Sequence, residues 1–333
     1  MKAPVYWNKK GVLARCLLPI SLVFGALGST RRLAFSRSWK PSYHAGVTTV
    51  VVGNINVGGS GKSPLIISLV KLLRRQGLTV GIISRGYGGA EIGKPQWVQP
   101  FSSPMAVGDE AVMLARRCEC PVVVCVDRVA AAKLLLERQK VDVLLSDDGL
   151  QHYALRRDIE IAVVDARREL GNGWLMPAGP LREPAWRLQT VDFVVRNGEA
   201  SGFVLEPTGL QSLHSAQRVE LAAFRDKRVH AVAGIGNPAR FFDSLRAKGI
   251  QVVEHAFSDH HKFTAEDLAF AMDLPILMTE KDAVKCAGLV LKDAWYVPVE
   301  ALLARDWSEK FGASVVKHVA GYNARRLSTN DQT

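Results

Sequence analysis

Short β-branched and aliphatic runs alternate with segments of helical period along the first two hundred residues. Residues 47–52 read VTTVVV, and similar runs at 78–84, 121–126, 141–146, 159–165 and 191–195 predict buried strands. Between them, apolar positions recur at three- and four-residue spacing over 64–76, 109–118 and 127–139, which predicts helices. A strand–helix–strand series of this kind predicts an α/β fold: a doubly wound, mostly parallel sheet with helices on both faces and ligands at the carboxyl ends of the strands. Residues 200–225 alternate weakly and predict a linker, with at most a strand pair. From Val229 the pattern returns as VHAVAGIG, a helix over 238–248, then VVEHAF, PILMTEKDAV and AWYVPV. The parse is therefore residues 1–40 as an N-terminal helical region, 41–198 as the main domain, 199–226 as linker, and 227–333 as a second, smaller α/β domain.

Residues 12–28 (VLARCLLPISLVFGALG) stand outside this alternation. Lys9 and Lys10 precede the run, and Arg31, Arg32, Arg37 and Lys40 follow it. As a signal peptide it would lead into basic residues rather than a secreted domain. As a membrane span it is short and carries Arg15 and Pro19. An interfacial helix, apolar face in lipid and basic flanks on anionic headgroups, fits better; packing against its own domain is the plain structural alternative.

Charge sharpens that picture. The 333 residues carry 43 Lys and Arg against 32 Asp and Glu, a net +11. The first acidic residue is Glu91, so the whole excess sits in the first ninety residues. An acidic partner near the N-terminus follows: phosphate ligands, anionic lipid or nucleic acid. Recognised nucleic-acid motifs and interleaved aromatics are missing, which argues against the last. Hydrophobic residues at 48% and charged residues at 23% leave ample material for a core. A mean hydropathy of +0.05 rules out a polytopic membrane protein. Cys16, Cys118, Cys120, Cys125 and Cys286 have no metal spacing and read as packing thiols of a reducing compartment.

The strongest chemical signal follows the first strand. Gly53-Asn54-Ile55-Asn56-Val57-Gly58-Gly59-Ser60-Gly61-Lys62-Ser63 runs into an apolar helix, the context a phosphate-binding loop requires. Loop N–H groups and the helix N-terminus would face phosphates, Lys62 would reach the β/γ-phosphates, and the Ser63 hydroxyl would ligate Mg²⁺. Asn56 stands where the motif has Gly; Asn tolerates left-handed backbone better than most residues. The Gly58-Gly59-x-Gly61-Lys62 spacing is also that of partitioning ATPases, but those carry Lys where this chain has Val57. Residues 141–148 (VDVLLSDD) form a second signal, an apolar strand ending in acid, from which Asp147 or Asp148 would hold Mg²⁺.

Four further segments make the pattern specific: Ser84-Arg85-Gly86-Tyr87-Gly88-Gly89, Gly108-Asp109-Glu110, Asp147-Asp148-Gly149-Leu150-Gln151-His152, and residues 171–184 (GNGWLMPAGPLREP). Together with the phosphate loop and Thr279-Glu280-Lys281-Asp282-Ala283-Val284-Lys285, they occur in the order seen in the tetraacyldisaccharide 4′-kinase family. The chain resembles that family over nearly its whole length. The resemblance implies transfer of the ATP γ-phosphate, with Mg²⁺, to the 4′-hydroxyl of an acylated glucosamine disaccharide 1-phosphate, giving lipid IVA in lipid A biosynthesis. It also implies work at the cytoplasmic face of the inner membrane, peripheral or monotopic, with the lipid surface as partner and no nucleic acid. The expected state is a monomer.

Carried over residue by residue, the resemblance implies ATP binding by Asn56, Val57, Gly58, Gly59, Ser60, Gly61, Lys62 and Ser63. The family usually has Thr at positions 56 and 63, so Asn56 and Ser63 are mild departures. Metal contacts fall to Ser63, Asp147 and Asp148. Asp109 matches the family's proposed base, and His260, in Asp259-His260-His261, matches the His proposed to pair with it. A carboxylate in reach of a sugar hydroxyl, oriented by His, suits phosphoryl transfer. Read without the resemblance, Asp109 is a helix cap and His260 a loop residue. The Gly- and Pro-rich segment 171–184 predicts an ordered loop near the site, whose Arg182 meets either a phosphate or a carboxylate.

Overall fold

The computed structural model describes residues 4–270 and 273–330. The chain opens with α1 (Val12–Cys16) and α2 (Leu18–Ser36). Pro19 does not break a helix here; it sits in the first turn of α2, where its missing N–H costs nothing. No described helix is long and apolar enough to cross a membrane.

The main domain follows: β1 (Thr48–Gly53), α3 (Lys62–Arg75), β2 (Val80–Ser84), β3 (Gln96–Val98), α4 (Pro104–Val107), α5 (Asp109–Cys118), β4 (Val122–Val124), α6 (Arg128–Arg138), β5 (Val143–Asp147), β6 (Ile159–Asp165), β7 (Phe193–Asn197) and β8 (Phe203–Pro207). The smaller unit contains β9 (Leu210–Ser212), β10 (Arg218–Val219), β11 (Arg228–Ala233), α7 (Pro238–Arg246), β12 (Gln251–Ala256), β13 (Ile276–Thr279), α8 (Glu280–Cys286) and β14 (Ala294–Val297). The chain then returns to the main domain with β15 (Val299–Leu303) and α9 (Arg305–Asn330).

The main sheet has nine strands in the order β15-β8-β7-β6-β1-β5-β2-β4-β3. All inner neighbours are parallel; only β3 and β15, at the two edges, run antiparallel to theirs. Every residue of β1 is buried, which explains its unbroken β-branched sequence. β1 lies between β5 and β6, where the winding direction reverses, so its carboxyl end opens into the crevice that binds ligands in such sheets. Leu65, Ile66, Leu69 and Val70 of α3 bury one face of that helix against Val50 and Val52. The second sheet has six strands in the order β10-β9-β14-β13-β11-β12, parallel except for the short β9 and β10.

Two boundaries differ from the sequence parse. Residues 199–226 are not a linker: β8 joins the main sheet beside β7, and β9 and β10 belong to the second. Residues 299–330 do not belong with 227–298. β15 pairs with β8 from Val299↔Pro207 to Leu303↔Phe203, while Phe311, Val315 and Val319 of α9 enter the main core. Apolar burial holds this segment there: Ala301 of β15 is buried in the same core as Phe311, Val315 and Val319. Strand periodicity does not say which of two sheets a strand joins.

Candidate active site

The phosphate loop is built from its own polar groups and from neighbours far away in sequence. Gly58 (φ 108°) and Gly61 (φ 89°) adopt left-handed backbone that side chains rarely occupy, and α3 starts directly after Gly61. The buried Asn54 Nδ2 donates to Gly58 O (3.2 Å) and reaches Ser60 Oγ (3.4 Å), closing the loop from inside. Asn197, at the end of β7, donates to Ser60 O (3.0 Å), and Arg168 donates to Gly59 O. Asn56, the departure from the motif, has a structural partner: its Nδ2 donates to Glu169 O (3.0 Å). Val57 N–H donates to Pro180 O (2.9 Å), so it faces the 171–184 segment.

That segment is ordered and straps two parts together. At one end Pro180, Leu181 and Arg182 pair with Val57, Asn56 and Ile55. At the other, Ser21 Oγ of α2 donates to Leu175 O (2.9 Å) and accepts from Ala178 N (3.0 Å), while Trp7 Nε1 donates to Pro177 O (3.0 Å). Arg182 meets a carboxylate, Asp148, at 3.1 Å.

Asp147 and Asp148, at the tip of β5, lie beside the loop in unlike environments. Lys62 Nζ is 3.3 Å from Asp148 Oδ1. Burial would raise the Asp148 pKa, but Lys62 and Arg182 outweigh it and hold the carboxyl well below the usual range. Asp147 is shifted the other way, by burial first and then by the charges of Glu110 and Asp148. Its Oδ2 accepts from Ser84 Oγ (3.0 Å), whereas its buried Oδ1 has no hydrogen-bond partner among the described residues. A buried carboxylate oxygen without a donor and a second carboxylate, together with the hydroxyl of Ser63, which follows Lys62 in the chain, have the chemistry of a site for a hard cation, which takes oxygen ligands.

Asp109 and His260, 151 residues apart, come together. Asp109 is the first residue of α5, and the cap position belongs to Gly108, so Asp109 is not the cap. Its buried carboxylate accepts from Glu110 N–H (2.8 Å) and lies 3.1 and 3.2 Å from His260 Nδ1. His261 turns away and pairs with Asp267 (2.9 Å). Burial would raise the Asp109 pKa, but the His260 hydrogen bond and the charges of Lys281 and Lys285 prevail and lower it. His260 itself has left-handed backbone (φ 60°) and packs on the Tyr87 ring at 4.7 Å. A cavity of about 70 Å³ opens beside the pair, lined by Gly88, Met105, Phe263 and Lys285 among others.

The smaller unit closes over the loop. A Cβ at Gly236 would stand 3.5 Å from Gly59 N. Arg240 Nη2 donates to Asn197 Oδ1 (3.0 Å), and Arg117 of α5 pairs with Glu280 of α8 (2.7 Å). Sequence reasoning did not assign Asn197, Arg168 or Lys281. Lys281 stands in a motif it singled out; the other two have no local signal.

The chain as a whole matches known proteins. A family model described as tetraacyldisaccharide-1-P 4′-kinase matches residues 13–318. The tetraacyldisaccharide 4′-kinase of Nitrosococcus oceani is 47% identical over 317 residues, covering 93% of this chain and 92% of that protein. That of Azoarcus sp. strain BH72 is 48% identical over 321 residues, covering 92% and 94%. Among solved structures, "apo" form LpxK from Aquifex aeolicus in complex with ATP superposes with a TM-score of 0.77 at 27% identity, covering 92% of this chain and all of that one. The family model over residues 13–318 and relatives close to half identical over more than nine-tenths of the chain show that it belongs to the tetraacyldisaccharide-1-P 4′-kinase family.

Proposed function

We propose that this cleft transfers the γ-phosphate of ATP to the 4′-hydroxyl of an acylated glucosamine disaccharide 1-phosphate, with Asp109 as the base and His260 as its partner. The kinase activity and its place in lipid A biosynthesis follow from family membership. The residue roles rest chiefly on one observation: the buried Asp109–His260 contact at 3.1 Å between two sheets, beside the phosphate loop.

In this reading Lys62 exchanges Asp148 for the β/γ-phosphates, and loop N–H groups from Gly58 to Lys62 cradle them. Asp147, Asp148 and Ser63 would hold Mg²⁺, which neutralises phosphate charge when bound. The 4′-oxygen attacks the γ-phosphorus, the bond to the β–γ bridging oxygen breaks, and the hydroxyl proton passes to Asp109. Asp109 is ionised and so has a lone pair to accept it, although its lowered pKa makes it a weaker base than an ordinary carboxylate. His152 supports an acidic acceptor nearby: burial first, then Arg128, Arg31, Arg85 and Arg157, push its pKa down to about 4. Such a concentration of cations suits the substrate's 1-phosphate.

The exposed side chains of Val12, Leu22, Val23 and Leu27 support attachment of α1 and α2 to a lipid surface, with the neighbouring basic residues on anionic headgroups. The inner-membrane face is the surface this substrate implies, and a monomer suffices for the site. A partitioning-type ATPase would need no sugar acceptor and no apolar foot.

The test is transfer of labelled γ-phosphate from ATP to purified disaccharide 1-phosphate in detergent micelles. Asp109→Ala and His260→Ala should each lose most of kcat, and the double variant should lose little more, because groups acting as a unit are non-additive. Multiplicative losses would show two independent residues and remove the dyad.

A further inference from the structure

Lys281, the second residue of α8, lies on the far side of His260 from Asp109. Its Nζ is 3.4 Å from His260 Nε2, 3.1 Å from Glu110 Oε1 and 3.2 Å from Asp259 Oδ1. The side chain is only 14% exposed; burial would lower its pKa, but the charges of Glu110, Asp109 and Asp259 outweigh it and raise it, so it stays an ammonium. An ammonium has three donors and no acceptor. Facing it, His260 Nε2 has to offer its lone pair. The ring proton then resides on Nδ1, where it points at Asp109.

We propose that Lys281 is a positioning residue that fixes His260 as the neutral Nδ1–H tautomer, so that the imidazole donates to Asp109 and leaves that carboxylate ionised to receive the substrate proton. The inference rests on the dyad reading and adds what orients it. The surroundings favour this arrangement over the alternative. An Nε2–H tautomer would set two donors against each other at 3.4 Å, and Asp259 Oδ1, at 3.7 Å from Nε2, is too far to accept a hydrogen bond from it. It would also leave Nδ1 as a bare acceptor against a carboxylate. The other charged groups facing the pair are Glu110 of α5, Asp259 in the loop after β12, and Lys285 of α8. Lys285 is 3.8 Å from Asp109 and is itself held by the buried Asp282 at 2.7 Å. Lys281 is thus the cation that touches the imidazole, whereas Lys285 approaches only the carboxylate.

The tie has a second consequence. Glu110 belongs to the main domain, while Asp259, His260 and Lys281 belong to the smaller unit. A single ammonium therefore meets a carboxylate from each unit, and the imidazole it touches faces Asp109 across the same junction.

Three measurements test this. In ¹⁵N spectra of the full-length protein, His260 should show a protonated Nδ1 and an unprotonated Nε2 at neutral pH; the opposite tautomer overturns the proposal without reference to activity. Lys281→Met should lower kcat by about tenfold or more at neutral pH, leave the KM for ATP within about twofold, and move the acid limb of kcat to higher pH. The sign follows because loss of the cation favours proton uptake by Asp109, whose pKa the Lys281 charge helps to lower. In a His260→Ala background, Lys281→Met should change kcat little; an equal loss in both backgrounds would mean a merely structural tie. Lys281→Arg, which keeps charge and donors, should retain more activity than the Met variant and serves if the Met variant fails to fold. If His260→Ala and Asp109→Ala keep full kcat, the dyad itself is wrong; if they lose it while Lys281→Met does not, only the present inference falls.

Discussion

At the scale of single residues, Lys62 and Asp148 form an ion pair at 3.3 Å, so phosphates have to compete with a carboxylate for the loop cation. Lys62→Ala should abolish phosphoryl transfer with the melting temperature close to wild type; near-normal turnover would remove the phosphate-loop assignment. Asp109 gives a prediction with a defined sign. Its folded pKa lies below the ordinary value of 3.8, so its ionised form stabilises the fold above that pH, and the contribution disappears as pH falls through the lower folded value. Melting temperatures of wild type and Asp109→Asn should differ most near neutrality, begin to approach each other only as pH falls below 3.8, and converge below the lower folded value. A difference that stays constant through acid would mean that the charge of Asp109 contributes nothing to stability. Lys62, Ser63, Asp147 and Asp148 were legible in the sequence because each sits in a short motif whose chemistry needs that residue type. Asn197 and Arg168 were not, because their contacts with the loop span more than a hundred residues and no local pattern marks them.

At the scale of elements, α2 shows two faces with different tasks. Ser21 and Gly25 lie against the strap, where a Cβ on Gly25 would come within 2.6 Å of Leu175 Cδ1. Leu22, Val23 and Leu27 are 71%, 61% and 68% exposed. Replacing Leu22 and Leu27 together by Glu should weaken binding to anionic vesicles and raise the KM for the lipid acceptor more than that for ATP, with the melt unchanged. Unaltered vesicle sedimentation would show that this face is not the anchor. Ser21→Val acts on the other face. It removes the hydroxyl that joins Leu175 O to Ala178 N and should cost about 1–3 kcal/mol in denaturant unfolding; a neutral result would mean that the strap does not rely on α2. The apolar run and its basic flanks were visible in sequence, as was the ordered loop at 171–184. Their attachment to each other was not, because a helix of mixed composition does not show which of its residues meets a loop 150 positions away.

At the scale of the whole molecule, the main domain is discontinuous in the chain. A chain ending at residue 298 loses β15, exposes the edge of β8, and strips Ala301, Phe311, Val315 and Val319 from the main core. It should show no cooperative main-domain melt and no ATP binding. Retention of both would mean that β15 and α9 are accessory. The sequence by itself determined the repeated βαβ units, the helix start at the phosphate loop and the acidic strand tip. Each depends on neighbours within about a dozen residues: β-branched positions that suit a buried parallel strand, glycines that take left-handed backbone, a carboxylate at a strand end. Only the tertiary structure decided which sheet β8 and β15 enter, how α2 reaches the phosphate loop through the strap, and that Lys281 meets His260 between Glu110 and Asp259. Those pairings are set by burial and by the need to satisfy edges and charges across long chain separations, and periodicity carries no record of them.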